Sequence, residues 1–325
     1  MSETSSGLSE PASDILSVLL RTVRLRGEEV YCWAPPSSFA VLFDHPGGTL
    51  HLVGQGELEL QIGDKSTVRR YQRGDVFMLP TGQRHTIRYG RKLRPRPLVA
   101  DDSRLGALGD HGDGTRWLAG TFSFDDSRGA GLLHGLPPLV ELRGAGDQSL
   151  LWLDVSAQML MKEKVEPAQG SREMIARILD LLFIQILRAW AITPDATPGW
   201  LTGAMDPVVG DAVSAIHTDP AHRWTIERLA RKSNLSRSSF ADRFTRRVGQ
   251  PPATYITQVR LARAADLLLD TNEPVSAIAG SSGYDSEAAF SRAFTARYGM
   301  PPSRWRRASA AAGPTSGTSA QPRKS

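Results

Sequence analysis

Phe240-Ala241-Asp242-Arg243-Phe244-Thr245-Arg246-Arg247-Val248-Gly249-Gln250-Pro251-Pro252 returns fifty positions later as Phe290-Ser291-Arg292-Ala293-Phe294-Thr295-Ala296-Arg297-Tyr298-Gly299-Met300-Pro301-Pro302. Phe240, Phe244, Thr245, Arg247, Gly249, Pro251 and Pro252 recur in register, and Tyr255 answers to Trp305. Two aromatic residues four apart sit about 40° from one another on a helical wheel, so each copy reads as a helix with one buried stripe. Gly-x-Pro-Pro then stops that helix, because glycine suits a left-handed C-cap and proline cannot continue the ladder. A short apolar helix and a turn precede each copy, from Leu229-Ala230 to Asn234 and from Ile278-Ala279 to Gly283. Helix, tight turn and second helix make a helix-turn-helix, and the chain carries two in tandem.

Charge is distributed to match. Residues 205–307 hold fifteen Lys and Arg against ten Asp and Glu, a net of +5, whereas residues 1–204 carry a net of −2. Arg outnumbers Lys 33 to 6. A basic excess confined to the repeats suits contact with the phosphates of duplex DNA there. The second helix of each unit is the expected groove-reading element, entering N-terminus first. On that basis Ser238, Ala241, Asp242, Thr245 and Arg246 face bases in the first copy, and Glu287, Ala288, Ser291 and Arg292 in the second. Ser236, Arg237 and Ser286 stand at the helix starts, where hydroxyl and guanidinium groups meet phosphate. Between the units, residues 253–270 read as one helix about 27 Å long. Such a rod holds two recognition helices near one turn of DNA apart, ~34 Å.

The rest of the chain divides by composition. Residues 1–13 are small and polar and read as disordered, as do residues 308–325. Residues 14–155 read as β-rich, with short apolar alternations broken by Gly, Pro and Asp. Residues 57–62 give the clearest strand, with Leu58, Leu60 and Ile62 pointing inward and Gly63-Asp64 closing it. A helix follows over residues 170–192, with Ser171 as N-cap. It is apolar on more than one face, so one side is expected to pack on the β-rich domain. The other, through Leu181, Ile184 and Leu187, is expected to meet a second copy of the chain. Residues 193–204 read as a linker and residues 205–307 as the DNA-binding domain. The run 175–192 is interrupted by Asp180, Gln185 and Arg188, which argues against a membrane span. The expected location is cytoplasmic. Cys32 is the only cysteine, which excludes an intrachain disulfide and a multi-thiolate zinc site. It reads either as a small buried hydrophobe or as a redox-sensing thiol.

Residues 224–307 resemble the DNA-binding domain of the AraC/XylS family of bacterial transcription regulators. The likeness is carried by Trp224-Thr225-Ile226, Leu229-Ala230, Leu235-Ser236-Arg237 and Phe244 in the first unit. In the second it is carried by Val275-Ser276-Ala277-Ile278-Ala279, Gly283-Tyr284-Asp285-Ser286, Phe290 to Phe294, and Gly299 to Arg306. The resemblance implies base contacts from both recognition helices. Arg292 is the firmest reader among them, because the first helix offers short or acidic side chains. It also implies a ligand-responsive activator that binds promoter DNA as a homodimer and touches RNA polymerase.

Upstream, Gly74-Asp75-Val76-Phe77-Met78-Leu79-Pro80-Thr81-Gly82-Gln83-Arg84-His85 is similar to the second cupin motif, and residues 51–57 to the first. This resemblance implies a cupin-like β-barrel sensor. His51 and His85 would lie at its mouth, with Phe77, Leu79 and Trp117 as apolar walls around a small-molecule effector. A metal cupin needs about three His and a carboxylate on one ion. Only two His are well placed and Ala119-Gly120 supplies no thiol, so neither a metal nor another cofactor is expected. The fold class is therefore multidomain α and β: a cupin-like barrel, a helical dimerisation segment and an all-α double helix-turn-helix. No nucleophile–base pair is visible, and the chain is not expected to be an enzyme. The rival readings are a metal-dependent cupin enzyme with an accessory DNA-binding domain, and a DNA-binding protein that answers to no ligand.

Overall fold

The computed structural model of the chain describes residues 16–17, 25–34, 38–63, 67–98, 115–124, 135–144 and 151–311. The segments 1–13 and 312–325, expected to be disordered, lie outside the described residues; within the expected tail, the last helix runs on to Ala311. Contacts divide the chain into two units, one spanning Leu16–Asp206 and the other holding the helices after Pro207.

Among the described residues the first unit contains ten strands: β1 (Leu25–Trp33), β2 (Phe39–Phe43), β3 (Thr49–Gln55), β4 (Glu57–Ile62), β5 (Val68–Gln72), β6 (Val76–Leu79), β7 (His85–Tyr89), β8 (Arg96–Pro97), β9 (Arg116–Phe124) and β10 (Val140–Leu142). They form two five-stranded sheets, ordered β1-β9-β3-β6-β10 and β5-β4-β7-β2-β8. All pairings are antiparallel except β2 with β8. Period-two alternation sends Tyr31, Trp33, Val53, Phe77 and Trp117 of one sheet and Val41, Phe43, Leu58, Leu60 and Ile87 of the other into one shared core. Two hydrogen-bonded ladders thus enclose a common core, and among the described residues neither sheet closes into the expected barrel.

Among the described residues, three helices follow the strands in this unit: α1 (Leu151–Val165), α2 (Ser171–Ala191) and α3 (Trp200–Ala204). β1 and β9 lie close against α2 because two glycines remove the obstruction. A Cβ on Gly27 or on Gly120 would stand 2.5 Å from a Leu179 side-chain atom. The Gly27 N–H donates to Asp180 Oδ1 at 2.7 Å, which fixes the contact. Ser171 is not the N-cap of α2. Gly170 holds that position with φ 88°, and the Ser171 hydroxyl donates to Glu163 of α1. The segment expected as a linker carries α3, whose Trp200 and Leu201 are buried.

The second unit contains α4 (Gly210–Thr218), α5 (Ile226–Lys232), α6 (Arg237–Val248), α7 (Pro252–Asp270), α8 (Val275–Ser281), α9 (Glu287–Tyr298) and α10 (Pro302–Ala311). Leu261, Ala264, Ala265 and Leu268 on one face of α7 form a core with Ile278, Ala279, Phe290 and Phe294. Their spacing along α7, at i, i+3, i+4 and i+7, is the apolar stripe of a half-buried helix.

Candidate nucleic-acid interface

Each helix-turn-helix is fixed by the same local bonds. After α5, Asn234 takes φ 53°, and after α8, Gly283 takes φ 79°. The following N–H groups, of Leu235 and Tyr284, then donate to Ala230 O and Ala279 O, both at 3.0 Å. These are the six-to-one bonds that satisfy orphaned carbonyls at a helix end. Ser236 and Ser286 start the recognition helices. Their hydroxyls accept from Ser239 N and Ala289 N, each at 3.2 Å. Gly249 and Gly299 end those helices with φ 81° and 74°, donating to Thr245 O and Thr295 O at 2.8 Å. Phe240 and Phe244, like Phe290 and Phe294, are fully buried with ring centroids 5.5 Å apart.

With the aromatic stripes inward, the opposite faces of α6 and α9 are presented to solvent. Ser236, Arg237, Ser238, Asp242 and Arg246 are exposed, and Ala241 and Thr245 half-buried. On α9 and its cap, Ser286, Glu287, Ala288 and Arg292 are exposed, and Ser291 half-buried. The two faces differ in how far they are already committed. On α6, Asp242 pairs with Arg246 at 3.0 Å, Arg237 with Glu227 at 3.1 Å, and the Thr245 hydroxyl donates to Ala241 O at 2.7 Å. On α9, Arg292 has no ion-pair or hydrogen-bond partner among the described residues, so its guanidinium fork is available to an outside acceptor. Arg260 of α7, which sequence reasoning missed, braces the second turn. It donates to Pro220 O and His222 O at 2.8 Å and to Gly283 O at 3.3 Å. A lone Arg in an apolar helix stripe was the only signal for that role.

In the first unit, His51 of β3 and His85 of β7 meet with their Nε2 atoms 3.0 Å apart. Trp117 Nε1–H donates to His51 Nδ1 at 3.2 Å, which leaves the His51 proton on Nε2. That proton points at His85 Nε2, so the His85 proton sits on Nδ1, where it donates to Gln83 O at 2.7 Å. The assignment closes with both rings neutral and every ring nitrogen satisfied. Burial agrees: it lowers His85 from 6.5 to about 4 and His51 well below 6.5, with His85 adding to the effect on His51. Phe43 stacks on His85 and Phe77 on His51.

The five residues expected around a ligand do come together, but as filled core. His51, His85, Phe77, Leu79 and Trp117 are each no more than 2% exposed, and the histidines spend their donors on one another and on the chain. His45 is held elsewhere, by Glu28 at 2.9 Å. Among the described residues, no three His, Cys, Asp or Glu side chains converge as a metal set. Burial pushes the Cys32 thiol up to about 11, against a smaller opposing pull from Lys164, so the reactive thiolate is disfavoured. Of the expected dimerisation residues, Leu181 is exposed and Ile184 half-buried. Leu187 is fully buried within the chain and faces no partner. Among the described residues no helix is long and apolar enough to cross a membrane.

A cupin family model matches residues 14–191 and a helix-turn-helix domain model matches residues 229–308. A putative AraC-like transcription regulator of Streptomyces antibioticus is 31% identical over 303 residues, covering 92% of this chain and 98% of that protein. A second, of Streptomyces lividans, is 30% identical over 305 residues, with the same coverage. The HTH-type transcriptional regulator AlkR of Acinetobacter baylyi is 29% identical over 272 residues, 80% of this chain and 87% of that protein. These relatives are regulators rather than enzymes. With the cupin match covering more than half of its length and the tandem helix-turn-helix behind it, the chain belongs to the AraC/XylS family of DNA-binding transcription regulators.

Proposed function

We propose that the protein is a ligand-responsive activator that binds paired promoter sites as a homodimer in the cytoplasm and engages RNA polymerase beside them. The observation that carries the DNA-binding part is the exposed face of α9, where Arg292 stands unpaired on a cap-stabilised helix in a segment of net charge +5. Arginine in that position has the fork that reads guanine O6 and N7. The committed face of α6 fits a helix that contributes more to orientation than to base discrimination. Dimerisation is supported by α2, which keeps Met174 and Leu181, seven residues apart on one face, 45% and 47% exposed. In this reading residues 14–155 sense the effector, residues 170–192 join two copies, and residues 205–307 hold the operator.

A genome-wide map of sites bound by the full chain, with and without deletion of the gene, tests this directly. Bound sites upstream of genes whose transcripts fall in the deletion strain are expected. Binding scattered without regard to promoters would defeat it.

A further inference from the structure

A cavity of about 400 Å³ lies on the outer side of the β1-β9-β3 sheet, away from the shared core. Its walls include Cys32, Leu52 and Leu118, which alternate along β1, β3 and β9 with the core residues Trp33, His51 and Ala119, and Trp117 also borders it. Ala157 and Met161 of α1 close the other side. Arg73 and Arg116 stand at the same cavity. Among the described residues neither arginine is ion-paired, and the buried Arg116 Nε has no hydrogen-bond partner. Lys164 of α1 is close enough to pull on the Cys32 thiol, which adds a third positive charge to this side.

A buried guanidinium N–H without an acceptor is costly, and native structures avoid leaving one so. The volume is that of a small-molecule site, which usually lies between ~300 and 1,000 Å³. We propose that this cavity is the effector site, and that it takes a small organic carboxylate with an apolar tail. The carboxylate accepts from Arg116, with Arg73 as its second cation, because the guanidinium fork matches two carboxylate oxygens. The tail lies against Leu52, Leu118 and Met161. The neutral Cys32 thiol acts there as an apolar wall. The proposal rests on the reading of the protein as a ligand-responsive regulator and gives it a location. A ligand in this place touches α1, α1 packs on α2, and α2 carries the exposed Leu181 face.

The test uses the full chain and octanoate as probe, with octanamide and octylamine as controls, by titration calorimetry. Octanoate is expected to bind at one site per chain, octanamide at least ten-fold more weakly, and octylamine not at all. Arg116→Ala is expected to weaken octanoate at least ten-fold. Arg73→Ala, at an exposed position, is expected to weaken it several-fold. Ala157→Trp fills the cavity from the helix side and is expected to abolish binding while both arginines stay. Equal binding of octanoate and octanamide, octanoate binding that survives Ala157→Trp and Arg73→Ala, or no octanoate binding at all would each overturn the proposal. A gel shift of promoter DNA by the same preparations keeps the two readings apart. A chain that binds octanoate but no DNA defeats the regulator, and one that binds DNA but no carboxylate defeats the site.

Discussion

Asn234 and Gly283 hold the same place in the two helix-turn-helix units, and both adopt positive φ, 53° and 79°. One is glycine and the other is not, and the reason lies in their surroundings. A Cβ at Gly283 would stand 2.9 Å from Ala221 O and 3.0 Å from Arg260 Cζ, whose guanidinium braces that turn. Asparagine tolerates the left-handed region, so an exposed Asn234 suffices where no brace comes close. Gly283→Ala is therefore expected to cost about 1–3 kcal/mol, from backbone strain and displacement of Arg260 together. Asn234→Gly is expected to change stability by less than about 0.5 kcal/mol. Thermal melts of the two full-length variants check this; a Gly283→Ala variant as stable as wild type would show that neither the turn conformation nor the Arg260 brace requires glycine there.

Arg292→Ala is expected to cost about 1–3 kcal/mol of affinity for the preferred operator and to relax preference at one or two base pairs. Arg246→Ala, which first has to be released from Asp242, is expected to weaken all sequences alike and to reduce the salt dependence of binding. Competition binding against a randomised operator library, at two salt concentrations, separates the two roles. A uniform loss for Arg292→Ala would make it a phosphate contact.

The repeats were legible because their determinants are local. A cap serine, two aromatic residues and a glycine stop act within one helix, so a sequence pattern and its hydrogen bonds coincide. β4 was legible for the same reason, and its bounds, residues 57–62, are those read from alternation. The helix α1 was missed although it obeys the rule. Its buried positions Leu153, Ser156, Ala157 and Leu160 follow i, i+3, i+4, i+7, but Ser and Ala in the middle of that stripe do not look apolar. The outer cavity was missed for a related reason. Cys32, Leu52 and Leu118 alternate with core residues, so both faces of these strands are apolar, which signals a sheet covered on both sides. The histidines were placed on the right strands. That His51 donates to His85 is a long-range fact, set by where β3 and β7 of different sheets face one another.

Met174→Glu with Leu181→Glu is expected to leave a folded chain, because both side chains face solvent and neither belongs to the packed face of α2. Sedimentation should then report a monomer where a dimer is expected for the wild type, and paired sites should lose more affinity than single ones. Wild-type protein sedimenting as a monomer at micromolar concentration would remove α2 as the dimer contact.

His51 and His85 give a pH dependence whose sign follows from their neutrality. Burial lowers both in the folded chain, His85 to about 4, while the unfolded chain titrates near the ordinary 6.5. Above pH 6.5 neither state binds the proton and these residues leave stability unchanged. Below it the unfolded chain takes up protons that the folded pair refuses, so stability falls until the folded value is reached. For His85 alone the loss amounts to about 3 kcal/mol by pH 4. His217 of α4, which shares a 2.7 Å hydrogen bond with Tyr255, is lowered to about 4 by burial and adds a loss of the same sign in the second unit. His85→Gln is expected to be less stable than wild type at pH 7.5, because His51 Nε2–H and Gln83 O lose their fitted partners. It lacks the proton-linked loss, so the gap to wild type should narrow by pH 4.5. Urea denaturation of both proteins at the two pH values reads this out, and a gap that stays constant would show that the folded pair takes up a proton as readily as the unfolded chain.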